Sequence, residues 1–186
     1  MSSLALPYLL QVEGDLQRDN TFRLDFRNRG GAGALFHVRS GDYTDLPRSY
    51  TIGPGRHLSD AWSAPLDYDL SVFGPNAFFR QFQGDTIGRY RTDLAIRTHH
   101  DDDRLTIVIA SASPHAARVR IRSAYSLQEQ AFVLNRGDAE TRTWSLRSTD
   151  GWYDLTVTLD DNPKFRRQLA GHVRAEHLQR RKQIDD

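Results

Sequence analysis

Five consecutive residues, His99-His100-Asp101-Asp102-Asp103, form the densest run of metal-ligating groups in this sequence. A hydrolytic metal centre needs such groups to converge on one point, with a nucleophile or an activated water beside them. Neighbouring side chains on an extended segment point to opposite faces, so this run does not converge without a special loop. An oxygen-liking ion such as calcium would suit it best. Asp160, Asp161 and Asn162 raise the same question. Both runs read as polar turns, because an internal repeat aligns the first with Asp15 to Asn20, where a hairpin is expected.

Other chemistry is missing from the sequence. There is no G-x-S-x-G elbow, no phosphate-binding loop and no paired catalytic carboxylate, and the seven histidines do not fall into ligand spacing. The absence of cysteine excludes disulfides, zinc-thiolate sites and thiol nucleophiles. The expectation is a chain with no catalytic residues, no metal and no cofactor. Its 25 basic and 24 acidic residues leave a net charge of +1, which offers nucleic acid no attracting field. No stretch reaches the roughly 20 apolar residues of a membrane span. The opening MSSLALPYLL lacks the basic start and long apolar centre of a secretion signal, so no export address of its own is expected.

Two sets of side chains suit contact rather than catalysis. Arg118, Arg120 and Arg122 alternate with Val119 and Ile121, which puts three guanidinium groups on one strand face. Such a stripe fits phosphate or an acidic protein surface, although a charged outer face that blocks edge association is the commoner cause. Among the aromatic residues in or near loops, Tyr43, Tyr50, Trp62 and Phe78 read as core. Phe73 and Phe79 flank the turn Gly74-Pro75-Asn76 and read differently, because the second copy of the repeat has Thr158 and Arg166 in their places.

The elements that hold these residues are strands. In Thr21–Phe26, Phe22, Leu24 and Phe26 share one face and Arg23 and Asp25 the other, which is the period-two pattern of a half-buried strand. The pattern returns at Ala34–Val38, Tyr68–Val72, Leu105–Ile109, Val119–Ile121, Phe132–Leu134 and Tyr153–Val157, with Gly, Asn and Pro turns between. The chain therefore reads as all-β. YDLSVFGPNAFFRQFQGD at 68–85 returns as YDLTVTLDDNPKFRRQLAG at 153–171, and the upstream pattern matches too, with Trp62 against Trp144 and Gly55 against Gly137. The expected architecture is two tandem antiparallel β-sandwich domains related by internal duplication, at 1–88 and 89–175, with a charged tail at 176–186. The two are expected to share a strand order, with a boundary at 84–90 and no sheet running through both.

PRSYTIGPGRHLSDAW followed by YDLSVFGPNAFFRQFQGD resembles the C-terminal repeat domain of bacterial phosphocholine-specific phospholipases C, over nearly all of residues 5–175. The resemblance implies a catalytic phosphoesterase domain earlier in a parent chain and a secreted or periplasmic enzyme. Its substrate would be the head group of phosphatidylcholine or sphingomyelin. It implies little about what the repeats themselves do; with no catalytic motif in them, a noncatalytic accessory role is expected, in which Phe73, Pro75, Asn76, Phe79, Arg118, Arg120 and Arg122 are candidates for contact with lipid or with the catalytic domain. A free-standing lipid- or glycan-binding module is the alternative, and an active site missed by motif reading is a third.

Overall fold

A computed structural model describes residues 8–42, 45–101, 103–126 and 129–173. Tyr43, Asp102 and the 176–186 tail lie outside them. Alternating burial makes the strands: in β2 (Thr21–Asn28), Phe22, Leu24 and Phe26 are buried completely. The other strands of the first half are β1 (Leu10–Leu16), β3 (Ala34–Ser40), β4 (Arg48–Ile52), β5 (His57–Ser63), β6 (Asp67–Phe73) and β7 (Phe79–Asp85). The second half repeats them as β8 (Leu94–Asp101), β9 (Arg104–Ser111), β10 (Ala117–Ser123), β11 (Glu129–Leu134), β12 (Ala139–Ser145), β13 (Trp152–Leu159) and β14 (Arg166–His172). The described residues contain no α-helix, only single 3-10 turns at Gly88–Tyr90 and Arg147–Thr149.

Each half is a three-on-four antiparallel sandwich. The small sheets run β1-β2-β5 and β8-β9-β12, and the large ones β4-β3-β6-β7 and β11-β10-β13-β14, so the strand order is the same in both halves. Each sandwich has its own core, the first around Phe22, Phe26, Phe36 and Trp62, the second around Ile107, Ile109, Ile121 and Phe165. Tyr68, Leu70, Val72, Phe78 and Phe82 are buried in one, and their counterparts Tyr153, Leu155, Val157, Phe165 and Leu169 in the other.

One expectation is corrected. The large sheets do not stay separate: β7 pairs with β14, giving one eight-stranded sheet through both halves. Alternation is a property of a single strand and says which face is buried; it does not say whether the strand is an edge. β7 and β14 would be the open edges of two separate sandwiches, and each satisfies the other.

Candidate functional site

The β7–β14 seam has a near two-fold axis. Gln81 pairs with Gln168, its own counterpart 87 residues on. Arg80 then faces Leu169, and Arg167 faces Phe82. Arg80 and Arg167 point inward, in the register of core residues, and are 1% and 4% exposed. Each reaches across the seam. Arg80 Nη1 donates to the Ala170 carbonyl (3.0 Å) and Nη2 to the Tyr153 hydroxyl (3.0 Å). Arg167 Nη1 donates to the Gln83 carbonyl (2.7 Å) and Nη2 to the Tyr68 hydroxyl (2.5 Å).

A buried guanidinium requires substitutes for water. Among the described residues these are main-chain carbonyls, a tyrosine hydroxyl and an aromatic face: Arg80 lies 4.1 Å from the Phe78 ring centroid and Arg167 4.4 Å from that of Phe165. The tyrosines are placed by glycine. Tyr68 pairs with Gly84 and Tyr153 with Gly171, and the bare backbone lets each ring lie across its partner strand. On the outer face, Gln83 and Gln168 amides donate to Asp69 (2.8 Å) and Asp154 (2.9 Å) respectively. The repeated Tyr-Asp-Leu and Arg-Gln-x-x-Gly are therefore one interface written twice. Alternation carried a signal for it, since an arginine recurs at an inward position in both copies.

A second seam joins the small sheets. Arg97 on β8 pairs with Asp15 (2.6 Å) and Glu13 (3.2 Å) on β1, and the Gln11 amide donates to the Thr98 carbonyl (3.0 Å). Between the seams, the linker residue Arg91 donates to Asn20 (3.0 Å) and to the Gln17 carbonyl (3.3 Å) of the first half.

The contact candidates separate into two places. Phe73 and Phe79 pair across β6 and β7 on the outer face of the large sheet, ring centroids 5.2 Å apart, with the Arg39 guanidinium 5.7 Å from Phe73. Pro75 and Asn76 form the intervening turn, where Asn76 and Ala77 both adopt positive φ (59° and 57°) and the Asn76 amide donates to the His172 carbonyl (3.1 Å). Arg118, Arg120 and Arg122 lie on the same face but far across it, on β10. Arg120 grips Asp160 with two 2.7 Å bonds, and Arg120 and Arg122 both bond Glu129. Arg122 and Arg120 hold the Glu129 carboxyl below its usual range, and Arg120 does the same for Asp160. The stripe is thus largely neutralised by its own neighbours.

Sequence reasoning passed over two further residues at the aromatic end. Trp152 and His172 pair across β13 and β14, ring centroids 4.7 Å apart, with Trp152 40% exposed. Of the loop-side aromatics, Trp62 is buried under the Arg48 guanidinium (4.0 Å). Tyr50 donates to Asp60 (2.6 Å), and burial, with that carboxylate, pushes its hydroxyl up to about 12.

The His99–Asp103 run spans the end of β8 and its hairpin, and the described residues contain no group of three or more ligating side chains able to hold a metal. His100 instead lines a cavity of about 30 Å³ with Tyr8, Asn76, Tyr153 and His172. Burial, then the nearby positive charge of Arg80 and His99, depresses its pKa to about 3. The unfolded chain then takes up this proton near the ordinary value of about 6.5 while the folded chain refuses it. Stability is therefore full above about 6.5 and falls as the pH drops toward 3. Urea midpoints at pH 7 and pH 5 are expected to differ less in His100→Leu than in the parent protein, leucine being the counterpart residue, Leu16, in the first repeat. An unchanged difference would show that His100 takes no part in the acid response.

The class that the fold and seam define is a duplicated antiparallel β-sandwich whose halves are joined by a repeated arginine–tyrosine interface. The model of the family described as bacterial phospholipase C, C-terminal domain, matches it twice, at residues 2–85 and 90–172, and the chain belongs to that family. It is 35% identical over 178 residues to a non-hemolytic phospholipase C of Burkholderia pseudomallei, covering 91% of this chain and 25% of the relative. It is 30% identical over 185 residues to a non-hemolytic phospholipase C of Pseudomonas aeruginosa (91% and 26%), and 30% identical over 205 residues to a hemolytic one from the same organism (92% and 28%). The chain thus spans about a quarter of the length of these curated relatives. Among solved structures, red sea bream transglutaminase aligns at 10% identity over 93% of this chain and 32% of its own, with a TM-score of 0.32, too low to bear on the fold.

Proposed function

We propose that this chain is a noncatalytic accessory module of a bacterial phospholipase C that removes the phosphocholine head group of phosphatidylcholine or sphingomyelin, in an enzyme exported from the cell. The module, made of repeats at 1–88 and 89–175, supports and positions the catalytic phosphoesterase part of the parent chain. The observation that carries this reading is the double family match on a segment about a quarter as long as the phospholipases C it resembles. The interior supports it as well: the polar groups that recur in both copies are engaged with each other across the seam.

The test compares the parent enzyme with a form lacking these residues. Loss of turnover on both a soluble phosphocholine ester and phosphatidylcholine vesicles is the expected result. Intact turnover on the ester with loss on vesicles alone would transfer the role to surface targeting. Unchanged turnover on both would refute an accessory role.

A further inference from the structure

The near two-fold axis supplies an internal control for the outer face of the eight-stranded sheet. Each position at one end has a counterpart at the other at the same place in the strand order. Phe73 corresponds to Thr158, Phe79 to Arg166, Trp152 to Asp67 and His172 to Asp85. The backbone pairing is preserved: Asp67 faces Asp85 as Trp152 faces His172. Asp85 bonds the Lys164 ammonium (2.9 Å), whereas Trp152 stacks on His172. One end is charged and the other aromatic, so the fold has no need of the aromatic set.

That set forms a single patch. The strand order β6-β7-β14-β13 places Phe73, Phe79, Ala170 and the Trp152–His172 pair side by side across both repeats. Three inter-strand steps make it about 14 Å wide. Phe73 and Trp152 are 41% and 40% exposed, a large apolar area to leave in water where the fold tolerates threonine and aspartate.

We infer that this patch is the docking face for the remainder of the parent polypeptide, and that the catalytic part packs against β6, β7, β14 and β13. The inference rests on the accessory reading above and names the surface that reading requires. Length favours this occupant, since the chain matches only 25% to 28% of its phospholipase C relatives, and in those relatives a much larger body is joined to the matching part. The setting of the rings favours it over a bilayer. They stand at strand ends on the outer face of a broad sheet, with Asp154 and the Gln81 and Gln168 amides next along the same face. Sinking them to acyl depth would take the charged Asp154 carboxylate out of water, and the Gln168 amide that bonds it does not neutralise that charge. A protein surface brings its own donors and acceptors to such a polar rim.

The test is hydroxyl-radical footprinting of the parent enzyme and of this 186-residue chain alone. Phe73, Phe79 and Trp152 are expected to be oxidised several-fold less in the parent enzyme, while Leu66, 62% exposed just before β6 at the end of that strand away from Phe73, reacts equally in both and serves as the reference. In a parent enzyme carrying Phe73→Thr, Phe79→Arg and Trp152→Asp, which copy the charged end, Ala170 and His172 should lose their protection from oxidation. The isolated triple variant should melt close to the unmodified chain. Equal oxidation of the three rings in parent and isolated chain would overturn the inference, as would protection that appears only when phosphatidylcholine vesicles are added. A parent chain that protects the rings but hydrolyses no phosphocholine ester would sink the accessory reading and leave the docking face standing.

Discussion

Arg167→Ala is expected to lower the unfolding free energy by about 3 to 5 kcal/mol, the range of large buried truncations, and to do so for both repeats together. The guanidinium fills space bounded by Phe22, Tyr68, Phe82 and Phe165, so truncation opens a cavity where the cores approach the seam. The Tyr68 hydroxyl and the Gln83 carbonyl lose their donor at the same moment. Arg167→Met keeps most of the volume and discards a buried charge, and it should cost much less. Urea unfolding followed by tryptophan fluorescence reads both halves, Trp62 reporting on the first and Trp144 and Trp152 on the second. One shared transition at lower urea is expected. Two separated transitions, with only the second half weakened, would show that the arginine serves its own repeat and not the seam.

Gly84→Val should cost roughly 1 to 3 kcal/mol or more, as overpacking of a dense interior does. A Cβ at Gly84 would stand 2.8 Å from Cζ of Tyr68, and the ring has nowhere to retreat. Phe22 stacks against it at 4.2 Å, and its hydroxyl is tied to Arg167. Gly171→Ala meets the same obstacle at Tyr153, 3.0 Å from Cζ. A double-mutant cycle with Tyr68→Ala checks the cause: removing the ring should relieve much of the valine penalty. Strictly additive losses would place the strain elsewhere.

How much of this was legible in the sequence follows from what each signal encodes. Phe22, Leu24 and Phe26 announced a half-buried strand because alternation reports one strand's two faces, and they are buried completely. The second YDL segment announced duplication, and comparing the copies isolated Phe73 and Phe79 as rings the fold does not need. The fused sheet stayed hidden because pairing between β7 and β14 joins residues 83 to 91 positions apart, with no local mark beyond an inward arginine. Trp152 and His172 escaped because they stand at strand ends, where alternation has only begun or just stopped. The arginine stripe looked bare in sequence because Glu129 and Asp160, which neutralise it, reach it only through the folded register of β10 with β11 and β13.

The self-pairing of Gln81 with Gln168 means that each repeat carries a complete, self-complementary half of the seam: a tyrosine to offer, an arginine to insert and a glycine to make room. That is the geometry of a homodimer written into one polypeptide. Two separate chains related by a true axis would be identical at both ends of the shared sheet. Any mutation that made one end sticky would make the other sticky too, and such duplicated stickiness invites association beyond the pair. Covalent linkage removes that tie. The copies keep the residues that hold them together and evolve freely at the rims, so one end could turn aromatic while the other kept Asp67 and the Asp85–Lys164 ion pair.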